Sequence, residues 1–308
     1  MISIQLGGIF TEIKQRRNPM FSQLLLNGVV LGSGYALMST GHTIIFGLMK
    51  VSNFAHGEFY MLGAYFAFTF LNMMEIPFFL AIFLTIVCGI MLGYLLNELV
   101  FKYVRDDMTV NGLVTIGLSI FFTNLAQYIW GAQPRSLDNP FKGGSIYLGD
   151  AVVTPERLFI IFASAITLLS FFYIIKHTKL GKAFRATFQQ KDAAQLVGID
   201  SENIYLISTI LGTVMACVAG ALLGLVYSLE PTMGAKAISV SWSVVVAGGL
   251  GNFIGAIVIG LLMGIIESLG GGYVSSAYKD TFPFLILVAV LIFKPHGIFS
   301  KEESRMNG

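Results

Sequence analysis

Apolar runs long enough to cross a bilayer follow one another along almost the whole chain. Residues 20–49, 59–74, 77–101, 109–131, 157–175, 204–229, 237–268 and 281–293 are all dominated by aliphatic, aromatic and glycine residues. A bilayer core about 30 Å thick takes about 20 helical residues per pass. Charged residues make up only 12% of the 308 residues, against 55% apolar or aromatic. A water-soluble domain could not cover its surface with so few charges, and disordered chains are polar. The expected fold is an all-α polytopic membrane protein. It has about eight transmembrane helices, between six and ten, with discontinuous or re-entrant segments in both halves. One transmembrane domain spans residues 20–300, between an N-terminal interfacial helix at 1–19 and a tail at 301–308.

Residues 1–18 lack the basic start and unbroken apolar stretch of a cleavable signal. Ile2, Leu6, Ile9, Phe10 and Ile13 recur at helical spacing among Glu12, Lys14 and Arg16, as in a helix lying at a membrane surface. Pro19 is expected to close it. Cys88 and Cys217 both sit in apolar runs, where a disulfide framework is not expected.

Lysine and arginine orient the spans, because cytoplasmic loops are enriched in both. The loop 176–203 carries Lys176, Lys179, Lys182, Arg185 and Lys191 and is placed in the cytoplasm. Stepping one span each way puts Lys102 and Arg105 inside and the loop 132–156 outside. The basic residues near both termini argue for a cytoplasmic N-terminus and C-terminus. Residues 20–74 must then cross an odd number of times and 237–268 an even number. Neither run divides cleanly into straight helices, so breaks are expected in both. Irregular backbone at membrane depth survives only inside protein or along a wet cavity.

Pairs of glycines four apart, such as Gly28 and Gly32, Gly251 and Gly255, or Gly260 and Gly264, allow close helix approach. Asn53, His56, Gly57 and Glu58 fall between two apolar runs. Two readings stand side by side: a discontinuous helix whose N-terminus faces the translocation path, or a loop at the membrane surface. Gly249, Gly251 and Asn252 repeat the theme in the second half, where Asn252-Phe253 echoes Asn53-Phe54. Glu98 and Glu267 are near the ends of runs and are expected to reach the interface.

No catalytic constellation emerges, and the expected protein is not an enzyme. Leu180-Gly181-Lys182-Ala183 lacks the leading glycine and the hydroxyl of a phosphate loop. The four histidines are scattered, with no metal spacing. No cofactor, metal or nucleic acid is expected. Energy for uphill transport would come from a partner ATPase or an ion gradient. Ala183 to Leu196 reads as a helix stopped by Gly198, with Phe184, Phe188 and Leu196 on a broad apolar face. Such a face suits either a partner groove or lipid headgroups.

Asp192-Ala193-Ala194-Gln195-Leu196-Val197-Gly198 resembles the EAA-x-x-x-G coupling motif of ATP-binding-cassette importer permeases, with Asp for Glu. Asn53 to Glu58 followed by Met61-Leu62-Gly63-Ala64-Tyr65 resembles the first-half signature of branched-chain amino acid permeases. Lys182-Ala183-Phe184-Arg185-Ala186-Thr187, Ala247 to Gly251, and Phe293-Lys294-Pro295-His296-Gly297 also match. The resemblance implies a multi-pass subunit of a bacterial inner-membrane importer of leucine, isoleucine and valine. Implied partners are a second homologous permease, two cytoplasmic ATPase subunits, an extracytoplasmic amino-acid-binding protein and the lipid bilayer. Phe184, Arg185, Phe188, Asp192, Ala193, Ala194 and Gly198 would couple to the ATPase. Asn53, His56 and Glu58 would line or brace the path. Permeases for urea or short amides share much of the pattern. An ion-coupled transporter acting alone would rest on Glu58.

Overall fold

With no proline between Pro19 and Pro77, nothing interrupts helix propagation over the first apolar run. The computed structural model describes residues 2–141, 143–148 and 151–300, with side chains from Met20 onward. Its first helix, α1, runs Ile2–Met49 without a break at Pro19. Pro19 does not close the N-terminal helix as expected. A proline inside a helix removes one hydrogen bond and can be accommodated when the apolar sequence beyond it continues to favour helix. α2 (His56–Phe68) continues as a π turn, Thr69–Met73. α3 (Phe78–Leu96) is joined by a second π turn to the short α4 (Lys102–Val104).

α5 (Met108–Trp130) starts where the Asp107 carboxylate accepts from the Thr109 and Val110 amides, at 2.8 and 3.1 Å. The loop beyond it holds an antiparallel hairpin, β1 (Ile146–Leu148) and β2 (Ala151–Val153). α6 (Pro155–His177) has proline in its first turn, where no amide is needed. α7 (Lys179–Gln189) and α8 (Lys191–Leu196) follow. α9 (Ser201–Leu223) is capped by Asp200. α10 (Met233–Gly248) and α11 (Phe253–Tyr273) precede a 3-10 turn, Ser276–Thr281, and α12 (Phe282–Phe293). Among the described residues, seven helices are long and apolar enough to cross a membrane, and α10 is a shorter apolar one.

α9 is the hub: α1, α2 and α3 all pack on it, and Ala216, Cys217 and Ala219 at its middle are fully buried. Between helices in lipid, the drive is close packing rather than release of water, and glycine provides it. α1 lies on α11, and a Cβ on Gly264 would overlap the Gly32 backbone. Gly251 and Gly255, however, do not share a helix face, because Gly251 precedes α11.

The bundle has two distinct ends. At one, α7 lies beside the end of α1, Arg105 pairs with Glu202, and the Ile298 amide donates to the Ala247 carbonyl at 2.9 Å. This is the basic end. At the other, Arg135 bridges Leu229, Phe78 meets Phe141 and Phe159, and Arg157 donates to Asn27 at 2.5 Å. Gln23 also accepts there from the Val152 amide at 2.9 Å. α1 therefore runs from the far end at Met20 to the basic end at Met49. α2 returns to the far end, and α3 comes back. Residues 20–74 make two passes rather than the odd number that the charge count required. Met20 and the stretch 294–300 lie at opposite ends. The reason is the segment 50–55, which is not helical and lets a short helix complete a pass. Residues 237–268 make two passes, as expected.

Candidate translocation site

At the end of α1, Lys50 takes a left-handed conformation (φ 53°) and the chain leaves the helix for six residues. This segment turns back into the bundle. Val51, Asn53 and Ala55 are wholly buried, while Phe54 is exposed. Some of its polar groups find partners inside the protein, while the Asn53 side-chain nitrogen has none among the described residues. The Asn53 side-chain oxygen accepts from the Ala55 amide at 3.1 Å, and Thr115 of α5 donates to the Ser52 carbonyl at 2.9 Å. Non-helical backbone persists at this depth because neighbouring groups satisfy it. The surface-loop reading of residues 51–58 does not fit these positions.

α2 then begins half-way along α1, since His56 Nε2 lies 3.1 Å from the Met38 carbonyl oxygen. Near its N-terminus the Gly234 carbonyl of α10 backs directly onto Gly57. Glu58, the acid of its first turn, is buried against Gly234 and accepts a hydrogen bond from Ser119 of α5 at 2.9 Å. A carboxylate in a helix's first turn also interacts favourably with the helix dipole. Asn53, His56, Gly57 and Glu58 thus gather where α1, α2, α5 and α10 meet.

Gly249, Gly251 and Asn252 do not join them. They form the turn between α10 and α11 at the basic end. Gly249 and Gly251 have φ of 99° and 77°, which favours glycine. Asn252 Oδ1 caps α11 through the Gly255 amide at 2.9 Å, and its Nδ2 donates to the Phe299 carbonyl at 2.6 Å. The echo between Asn53 and Asn252 is local: both oxygens organise a helix start, at different depths.

The basic loop is two helices broken at Gln190, not one from Ala183 to Leu196. Thr178 caps α7 through the Gly181 amide at 3.1 Å, and the Arg185 guanidinium donates to the Ile175 carbonyl. Phe184 is buried in the core and does not share an exposed face with Phe188 and Leu196. The closeness of α7 to the end of α6 turns it inward. The Phe188 ring rests against Gly47 and Gly251. Asp192, Ala193 and Gly198 face outward, Ala194 inward, and Leu196 and Val197 are among the most exposed apolar residues.

Sequence reasoning missed two residues at the centre. His42 stacks on His56 with ring centroids 4.9 Å apart, and Trp242 meets His42 edge-on at 4.5 Å. Their rarity was the available signal, since the chain has four histidines and two tryptophans. Glu267 also departs from expectation. It is buried, accepts from the Tyr35 hydroxyl at 2.9 Å, and lies 3.5 Å from Lys236, which also pairs with Asp280 at 2.5 Å. Glu98 does reach the surface, paired with Lys102.

The family described as branched-chain amino acid transport system / permease component matches residues 24–291. The chain belongs to this family. LivH of Salmonella typhimurium, a high-affinity branched-chain amino acid transport system permease protein, is 31% identical over 297 residues, 92% of this chain and 96% of LivH. BraD of Pseudomonas aeruginosa, described in the same words, is 31% identical and covered over 97% of its length. A probable LivH of Methanocaldococcus jannaschii is 27% identical over 90% of this chain. This permease is a membrane-embedded transport component with several membrane-spanning helices.

Proposed function

We propose that the chain is the permease subunit of an ATP-binding-cassette importer that takes up leucine, isoleucine and valine across a bacterial inner membrane. The family match over residues 24–291, shared with LivH and BraD along nearly their whole lengths, carries this reading. A second homologous permease, two cytoplasmic ATPase subunits and an extracytoplasmic binding protein complete the machine. The basic end faces the cytoplasm, as the positive charge of its loop requires. Met20 then lies at the outer face.

The binding protein delivers a zwitterionic amino acid to the outer end. The substrate moves past the break at 50–58, where Asn53, His56 and Glu58 brace the turn. Closure of the ATPases pushes on Leu196 and Val197. α7 passes that push to Gly47 and Gly251 through Phe188, so Gly249, Gly251 and Asn252 belong to transmission rather than to the path. Selectivity rests largely with the binding protein, and this subunit needs no nucleotide site of its own.

The test is reconstitution of the four kinds of subunit in sealed liposomes. ATP with binding protein drives leucine accumulation, and omission of either abolishes it. Accumulation by this chain alone would overturn the proposal.

A further inference from the structure

The aromatic cluster around Trp242 has no role in the transport steps described so far. Trp242 sits edge-on to His42 and to Phe46, with centroids 4.5 and 5.5 Å away, and lies tilted against Phe54 at 5.8 Å. Phe54, 37% exposed, is its outward edge. Behind it, the imidazoles of His42 and His56 are wholly buried and stacked.

The polar atoms here are left over. His56 Nε2 faces the Met38 carbonyl, which only accepts, so that nitrogen carries the proton. His56 Nδ1 is then a bare acceptor, and among the described residues it has no partner. His42 Nδ1 is satisfied by the Ser241 hydroxyl at 3.0 Å, but its Nε2 has none. Trp242 Nε1, which can only donate, has none either. Buried indoles and imidazoles nearly always find partners. These three unpartnered nitrogens sit on rings packed together through His42, so the cluster has spare capacity for a polar ligand. The cluster also has a route for motion. Trp242 is on α10, whose last residues lead into the turn that Phe188 touches.

We infer that Trp242 is the residue that seals the translocation path. Its indole closes over His42 and His56, with Phe46 and Phe54 bracing it, and moves aside when substrate passes. The inference rests on the proposed importer function and adds the chemistry of passage. Aromatic faces suit an aliphatic side chain, the indole N–H offers a donor to the carboxylate, and His56 Nδ1 offers an acceptor to the ammonium.

The experiment uses the complete transporter in liposomes preloaded with radiolabelled leucine and sodium, without nucleotide. The wild-type complex retains both. Trp242→Ala is expected to release them at least tenfold faster, while Trp242→Phe stays within twofold of wild type. Should Trp242→Ala not assemble with the ATPase subunits, Phe54→Ala carries the test, with release at least threefold faster. An assembled variant as tight as wild type overturns the inference. Sodium release needs no assumption about substrate, so a sealed wild type that imports no branched-chain amino acid refutes the importer reading and leaves the seal separately decided.

Discussion

Replacing Phe188 with alanine separates transmission from docking. The ring rests on two glycines: a Cβ on Gly47 would stand 3.1 Å from it and one on Gly251 2.7 Å. Truncating a fully buried phenylalanine costs about 3–5 kcal/mol. Phe188 is 47% exposed, so roughly half of that contact, about 2 kcal/mol, is at stake. Taken from the step that transmits ATPase closure, about 2 kcal/mol slows uptake by about thirtyfold. The outward surface at Leu196 and Val197 is untouched, so the ATPase should still co-purify and hydrolyse ATP. Phe188→Leu should recover a good part of the rate. The assay is ATP-driven leucine uptake in liposomes with hydrolysis measured in parallel. Uptake within twofold of wild type, with hydrolysis unchanged, would refute the reasoning.

Changing Leu196→Ala together with Val197→Asp should leave the thermal stability of the isolated subunit within about 0.5 kcal/mol, because both side chains face outward, yet abolish ATPase co-purification. Asp280→Asn should cost less than about 1 kcal/mol, since the Lys236 pair is exposed on both sides. Glu267→Ala should cost about 2–3 kcal/mol, because it leaves the buried Tyr35 hydroxyl unpaired; thermal melts in detergent compare the two. Gly264→Leu should prevent recovery of monodisperse protein by size-exclusion chromatography, as its side chain would enter the Gly32 backbone. Gly112→Ala meets only Phe54 at 3.8 Å and should behave as wild type.

The span pattern and the first break were legible because both are local. A run of apolar residues declares a helix, and Asn53, His56 and Glu58 declare a polar interruption within a few residues of one another. What they touch was not legible. His42 and Ser241 are 199 positions apart, and nothing in either neighbourhood announces the other. Phe184 and Phe188 read alike as exposed aromatics, yet the fold of α7 against α6 buries one and leaves the other on a glycine seat. The number of passes over residues 20–74 was not legible for a physical reason. Counting charges assumes that every pass is a full-length apolar helix, whereas the non-helical stretch 50–55 contributes to a pass without looking like one.

The backbone-to-backbone seam between α1 and α11 also limits how this subunit can move. Gly28, Gly32 and Ala36 mesh with Ile265, Gly264 and Gly260 like the teeth of a closed zip. Sliding one helix against the other would drive backbone into backbone, so the two travel as a single strut. Whatever swings during a transport cycle must therefore pivot outside that strut, and two non-helical connections, the stretch after Met49 and the glycine turn before Phe253, adjoin it at the basic end.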